Sequence, residues 1–418
     1  MHKLLIVSGF LFAASGCKNA NYCAGNPDNN CNEHPADGKQ IDGMEALDCT
    51  VSGCGDSGKV CDSTTRACVE CTVTESAACS GTSPVCKNDA CTACEANSDC
   101  PAQACLGTGA CEDASMVAYA KAGGSGDCLT PATACGAISS ALATGRPVIR
   151  LSGTFNEAVT IASGTITLIG DDDGSTKIGS NVSLSTLLAV SGNTTVVEVH
   201  NVSFMGAANN SYGISLLATA ATASLTLDHV NVTNVAGTGV SISGGTLAID
   251  RANIAHNGTG GISLSGTAFH VRNVFITDNG ALGGTFGGML VSQGSGAIEF
   301  VTIANNIGLG DGNPRGLTCA STTTTVDSSL FQTNSNSQVG GSGCVFAYSN
   351  FYPAAGAPSG TGNVGMQVTF AGSNDYHLAA NSPMKDIANP GSTVGDDVDG
   401  NSRPQGAIRD IGADELMP

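Results

Sequence analysis

Between Val199 and Phe351 one short pattern returns at a nearly fixed interval. The segments VHNVSF, LDHVNV, IDRANI, VRNVFI, IEFVTI and VDSSLF end on Phe204, Val232, Ile254, Ile276, Ile303 and Phe331, at intervals of 28, 22, 22, 27 and 28 residues. One strand-like core per repeat cannot bury its own apolar face, so the period predicts a solenoid whose coils cover one another. Five places before the final residue stand Val199, Leu227, Ile249, Val271, Ile298 and Val326. Two places before it stand Val202, Val230, Ala252, Val274, Val301 and Ser329. Polar residues alternate with them, as they must if one side of each strand faces inward.

Three places after the final residue come Asn257, Asn279, Asn306 and Asn334. Stacked coils use such a column at a turn, because the amides bond along the stack and Asn tolerates left-handed backbone. On these residues the chain resembles the right-handed parallel β-helix of the pectin-lyase-like family from roughly Ile149 to Phe351. The resemblance implies an all-β fold but no particular activity. YAKAGGSGDCLTPATACGAISSAL, from Tyr119, resembles the entry segment of bacterial β-helix proteins, with Ala134 to Thr144 as a capping helix. The C-terminal DDVDGNSRPQGAIRDIGADE resembles a terminus that closes the last coil of bacterial surface β-helices.

The N-terminus MHKLLIVSGFLFAASGC has a basic start, an apolar run too short to span a bilayer, and small residues before Cys17. It resembles a bacterial lipoprotein signal, which implies export and lipidation at Cys17; Lys18 rather than Asp in the next place favours the outer membrane or cell surface. Residues 1–16 are expected to be the signal, 17–48 a tether, 49–115 a Cys-rich module, and 116–418 the β-helix with its caps. Removing Cys17 from 19 cysteines leaves an even number, 14 of them between Cys23 and Cys111. In an exported chain this predicts disulfides. Cys128 with Cys135 and Cys319 with Cys344 are the candidate pairs beyond that region, the second bridging neighbouring coils. CxxC at Cys68/Cys71 and Cys91/Cys94 has no His nearby, which argues against zinc.

Four places before the final apolar residue the repeat carries His200, Asp228, Asp250, Arg272, Glu299 and Asp327, with His229 and Arg251 in the next column. On stacked coils these lie about 4.8 Å apart and form one outward charged face. Arg272 is placed to pair with Asp250 or Glu299, while Asp228 and Asp250 repel unless His229, Arg251 or a cation intervenes. Asp228, Asp250, Arg251, Arg272 and Glu299 are therefore the catalytic candidates, and His200, His229, His256 and Asp278 the binding candidates. His256 beside Asp278 has the makings of a general acid–base pair. The family's polygalacturonase-type motifs are missing, so no family catalytic residue carries over.

No cofactor is required. Calcium is the ion that acidic loops would suit, at Asp171-Asp172-Asp173 or at the alternating Asp397 and Asp399. A net charge of −19 with only 16 Lys plus Arg excludes a nucleic-acid surface. No Trp and 4% aromatics leave few stacking platforms for neutral sugars. The expected protein is a monomer, held to membrane only by its lipid, that presents a non-catalytic ligand face to polysaccharides or other cells. The alternative is a polysaccharide lyase or hydrolase working at the charged face.

Overall fold

The structure is a computed structural model and describes residues 49–417, apart from 55–57, 73, 76–78, 180–185, 208, 282–285 and 309–315. The signal, Cys17 and the tether lie outside the described residues. Behind a disulfide-rich segment the chain winds into a parallel β-helix with three ladders of strands. The first ladder begins at Val117–Lys121 and passes through Val148–Ser152, Thr165–Ile169, Val196–His200 and Ser224–Asp228 to Cys344–Ala347. The second runs from Thr154–Phe155 to Asn350–Tyr352, and the third from Val159–Ile161 to Val339–Gly341.

The register is the one the repeat implies. Val199, Leu227, Ile249, Val271, Ile298 and Val326 are partners on successive rungs of the first ladder. Phe204, Val232, Ile254, Ile276, Ile303 and Phe331 are partners on the second. All are buried in one continuous apolar core. Parallel strands repeat side chains in register, so like stacks on like and a 22-residue coil needs no other core.

A single left-handed residue turns the first ladder into the second: Asn201, His229, Arg251, Asn273, Phe300 and Ser328 have φ between 48° and 57°. A second left-handed column follows the second ladder, at Asn234, His256, Asp278, Asn305 and Thr333. The expected left-handed backbone at the Asn column is thus one residue early. Asn257, Asn279, Asn306 and Asn334 instead point inward, fully buried or nearly so. Each Nδ2 donates to the Oδ1 of the next Asn at 2.9–3.0 Å and to a carbonyl of the preceding coil. Each Oδ1 also accepts the next lower backbone N–H. Gln338 Oε1 ends the ladder by accepting Asn334 Nδ2 at 2.8 Å. Every amide group is satisfied, which is why the column can be buried.

The capping helix spans only Ile138–Leu142, not 134–144. Cys135 is taken by the first rung, donating to Tyr119 O and accepting from Lys121 N, so the helix starts after it. Cys128 and Cys135 are joined, as are Cys319 and Cys344, whose strands belong to successive coils. In the Cys-rich segment the pairs interlock: 49–61 with 54–68, 71–86 with 79–91, and 94–105 with 100–111. Both CxxC motifs are split between units. The third unit packs on the flank of the β-helix, where Ala102, Ala104 and Leu106 meet Val117, Tyr119, Val148 and Ile169. Tyr119 donates its hydroxyl to Ala102 O at 2.8 Å.

The C-terminal segment does more than close the last coil. Val364 bridges to Asn350, and the chain then doubles back along the outside of the second ladder. Val368, Leu378, Met384 and Ile411 cover Phe300 and Leu330, and Tyr376 covers Phe275 and Ala304. Outward apolar residues in these coils would otherwise face water. They also explain how Phe300 holds φ 52°: it is wholly buried, with the Arg403 guanidinium 4.6 Å from its ring centroid.

Replacing Asn279 by Ala removes the acceptor of the Asn257 backbone N–H and of one Asn257 Nδ2–H, and takes the side-chain donor from Ile254 O. At about 1–3 kcal/mol for each buried unpaired group, Asn279→Ala is expected to lower urea stability by several kcal/mol. The exposed Asn231→Ala is expected to change it little, and equal midpoints for the two variants would remove the ladder's assigned role.

Candidate functional site

The outward charged face lies at the corner between the first and second ladders. His200, Asp228, Asp250, Arg272, Glu299 and Asp327 are partners on consecutive rungs. His229 and Arg251 are left-handed corner residues, which swings their side chains back beside the column.

Asp228 is the centre of the cluster. Arg251 Nη2 lies 2.8 Å and Nε 2.9 Å from its Oδ1, His229 Nδ1 3.3 Å from the same atom, and His200 Nδ1 3.4 Å from Oδ2. Burial opposes charge on Asp228, yet His200, His229 and Arg251 together hold the carboxyl far below its ordinary range. Arg251 also reaches across to the C-terminal segment, with Nη1 2.8 Å from Asp396 Oδ2. Asp250 accepts Arg272 through Nη2 at 2.6 Å and Nε at 2.8 Å, and Asn273 Nδ2 at 3.0 Å. Arg272 therefore pairs with Asp250 rather than Glu299, which His270 Nε2 takes at 2.6 Å. Asp327 accepts Ser328 Oγ and Asn389 Nδ2. The Asp228/Asp250 repulsion is offset as expected, by arginines from the corner and from the next rung.

His200 has an outward position but is 8% exposed. The third Cys-rich unit lies over it, and a Cβ at Gly107 would fall 2.8 Å from His200 Cε1, so glycine permits the approach. Burial would lower the imidazole pKa, but Asp228 on one side and Glu198 on the other raise it to about 9. Its Nε2 is buried without a hydrogen bond, 3.6 Å from Glu198 Oε2. Between this unit and the column open two adjoining clefts of about 570 and 440 Å³. Leu106 and Asp172 line one, and Arg272, His270 and Glu198 the other, with Thr108, His200, Asp228 and Arg251 shared.

The remaining candidates are placed elsewhere. The Tyr376 hydroxyl lies 2.7 and 2.8 Å from the two Asp278 oxygens, so Tyr376 is the hydrogen-bond partner the structure gives Asp278, while His256 and Asp278 line one cavity. Burial and that carboxylate raise the Tyr376 pKa. The acidic triplet is structural: Asp171 pairs with Arg150 at 3.0 Å, Asp172 accepts Asn97, and Asp173 accepts Ser175 N. Asp397 is fully buried and accepts backbone N–H groups of Asp399, Asn401 and Glu415, which fixes the C-terminal loop. Asp399 faces His377, 2.9 Å away.

Glu198, His270, Asn273 and Asp396 belong to the site but were not singled out from the sequence. Glu198 and His270 stand two places before His200 and Arg272, on the same outward side, so the alternation already pointed to them. Asp396 arrives from 145 residues away and had no such signal.

No protein-family model matches the chain, and no curated protein matches it. Among solved structures it is similar to a pectate lyase, Pel9A, at 13% identity, with 72% of this chain and 96% of that chain covered and a TM-score of 0.46.

The raised pKa of His200 gives a pH dependence of definite sign. A fold that prefers the protonated ring is fully stabilised by it below the ordinary value of 6.5 and loses that contribution as pH rises through about 9. Urea midpoints are expected to fall across that window by on the order of 2 kcal/mol in free energy. His200→Gln is expected to flatten part of the fall; His377, also raised to about 9, accounts for another part. A wild-type midpoint flat from pH 6.5 to 9 would contradict the burial and pairing described.

Proposed function

We propose that this chain is an exported lipoprotein, anchored through Cys17 to the outer membrane or cell surface, that binds a polysaccharide or cell-surface ligand without transforming it. The binding face is the corner column with the overlying third Cys-rich unit. One observation carries the reading: the acidic groups of the column are each engaged by a side-chain donor. Asp228 has Arg251, His229 and His200; Asp250 has Arg272 and Asn273; Glu299 has His270; Asp327 has Asn389. A lyase needs carboxylates open to a cation and a base able to take a proton, and an arginine locked to aspartate offers neither. A binding face uses the same groups differently. Arg272 is 39% exposed in its side chain and His270 46%, so both can donate to sugar hydroxyls or carboxylates while keeping their partners.

The protein acts as a monomer, needs no cofactor and binds no nucleic acid. The test uses the chain from Lys18 onward, its disulfides intact and Cys17 outside it, with acidic and neutral polysaccharides, with and without calcium. Saturable binding that weakens about tenfold or more in Arg272→Ala, with no new unsaturated or reducing ends, is the expected outcome. Product that depends on Asp250 and Arg272 would overturn the reading in favour of a lyase or hydrolase at the same face.

A further inference from the structure

A second constellation lies away from this cleft, where the C-terminal segment crosses the second ladder. His377, Asp399 and Asp414 each offer one donor atom, and these atoms all lie within 4.8 Å of one another. His377 Nε2 is 2.9 Å from Asp399 Oδ2, and Nδ1 is 2.5 Å from Asp375 Oδ1. The ring stands edge-on to Phe275, with centroids 5.1 Å apart. It is therefore held on three sides: one nitrogen by a carboxylate, the plane by an aromatic edge, and the other nitrogen aimed at two more carboxylates. Asp414 is 6% exposed, and its Oδ2 accepts Leu378 N at 2.6 Å, which fixes the carboxyl against the backbone.

Asp375, Asp399 and Asp414 thus gather around one histidine. Beside it opens a cavity of about 230 Å³, lined by Asn374, Asp375, His377 and His256, which gives solvent a way in.

We propose that His377, Asp399 and Asp414 bind a first-row divalent transition-metal ion of the zinc class, with Asp375 as the residue that orients the imidazole. An imidazole nitrogen in the donor set distinguishes the site from an all-oxygen calcium or magnesium site. Three protein ligands would leave a fourth position for water. Asp375 on Nδ1 reproduces the carboxylate–histidine–metal arrangement, which fixes the tautomer and sharpens the basicity of Nε2. The site is distinct from the ligand face and stands or falls separately from it.

The test is a calorimetric titration of the full disulfide-bonded chain, stripped with chelator and then given zinc or calcium chloride. One equivalent of zinc is expected to bind, with calcium unable to compete at equal concentration. His377→Gln is expected to abolish binding and Asp375→Asn to weaken it about 10- to 100-fold. His377 and Asp399 are partly exposed, so either variant can be judged by its circular dichroism; if His377→Gln fails to fold, Asp399→Asn gives the same reading. No saturable zinc binding, or binding unchanged in His377→Gln and Asp399→Asn, would overturn the proposal and leave a protonated His377 bridging its carboxylates.

Discussion

Stacking in register is the constraint on which the rest of this molecule depends. Parallel rungs about 4.8 Å apart place every residue over its equivalent in the next coil, so a choice made once is made in column. Apolar residues then form one core, and the Asn column becomes a continuous hydrogen-bonded wire rather than four buried costs. The same rule makes charged residues a problem. Like charges at equivalent positions would repel along the whole stack, and the alternation of Asp228 and Asp250 with Arg251 and Arg272 is the answer to it.

Corners do the rest. A β-helix coil has to turn sharply without breaking either ladder, and a single left-handed residue accomplishes that at a strain of roughly 1–2 kcal/mol for a non-glycine side chain. Asn, His and Asp bear this most readily, which accounts for Asn201, His229, Asn273, His256 and Asp278. The strain also has a use. A corner residue projects away from both strands, so Arg251 and His229 can lean back onto Asp228, and Arg251 at the same time meets Asp396 from outside the coil.

Those outside segments turn a repetitive surface into a local one. Without the third Cys-rich unit, His200 would be an exposed histidine on a strand; under the loop at Gly107 it is buried, charged and one side of a cleft. Without the returning C-terminal segment, Arg251 would lack Asp396, and Phe275, Phe300 and Leu330 would be exposed. A solenoid supplies regular columns, and the two flanking segments break their equivalence by covering some rungs and leaving others open.

Much of this was legible in the residues. The inward columns, the outward His–Asp–Asp–Arg–Glu–Asp face and the Asn ladder follow from spacing alone, because local alternation and stacking are properties that a repeat writes directly into the chain. Even the offset of the Asp228 and Asp250 charges followed, since it involves only adjacent coils. The sequence could not place the left-handed residue at His256 and Asp278 rather than at the Asn, because both positions tolerate that backbone. Nor could it choose Asp250 over Glu299 as the partner of Arg272, for both are one rung away. What only the tertiary structure decided is contact between segments with no common period. Asn97 on Asp172, Gly107 on His200, Asp396 on Arg251 and Tyr376 on Asp278 are each a meeting of the solenoid with non-repeating chain, and long-range docking of that kind depends on shape and desolvation that no interval in the sequence records.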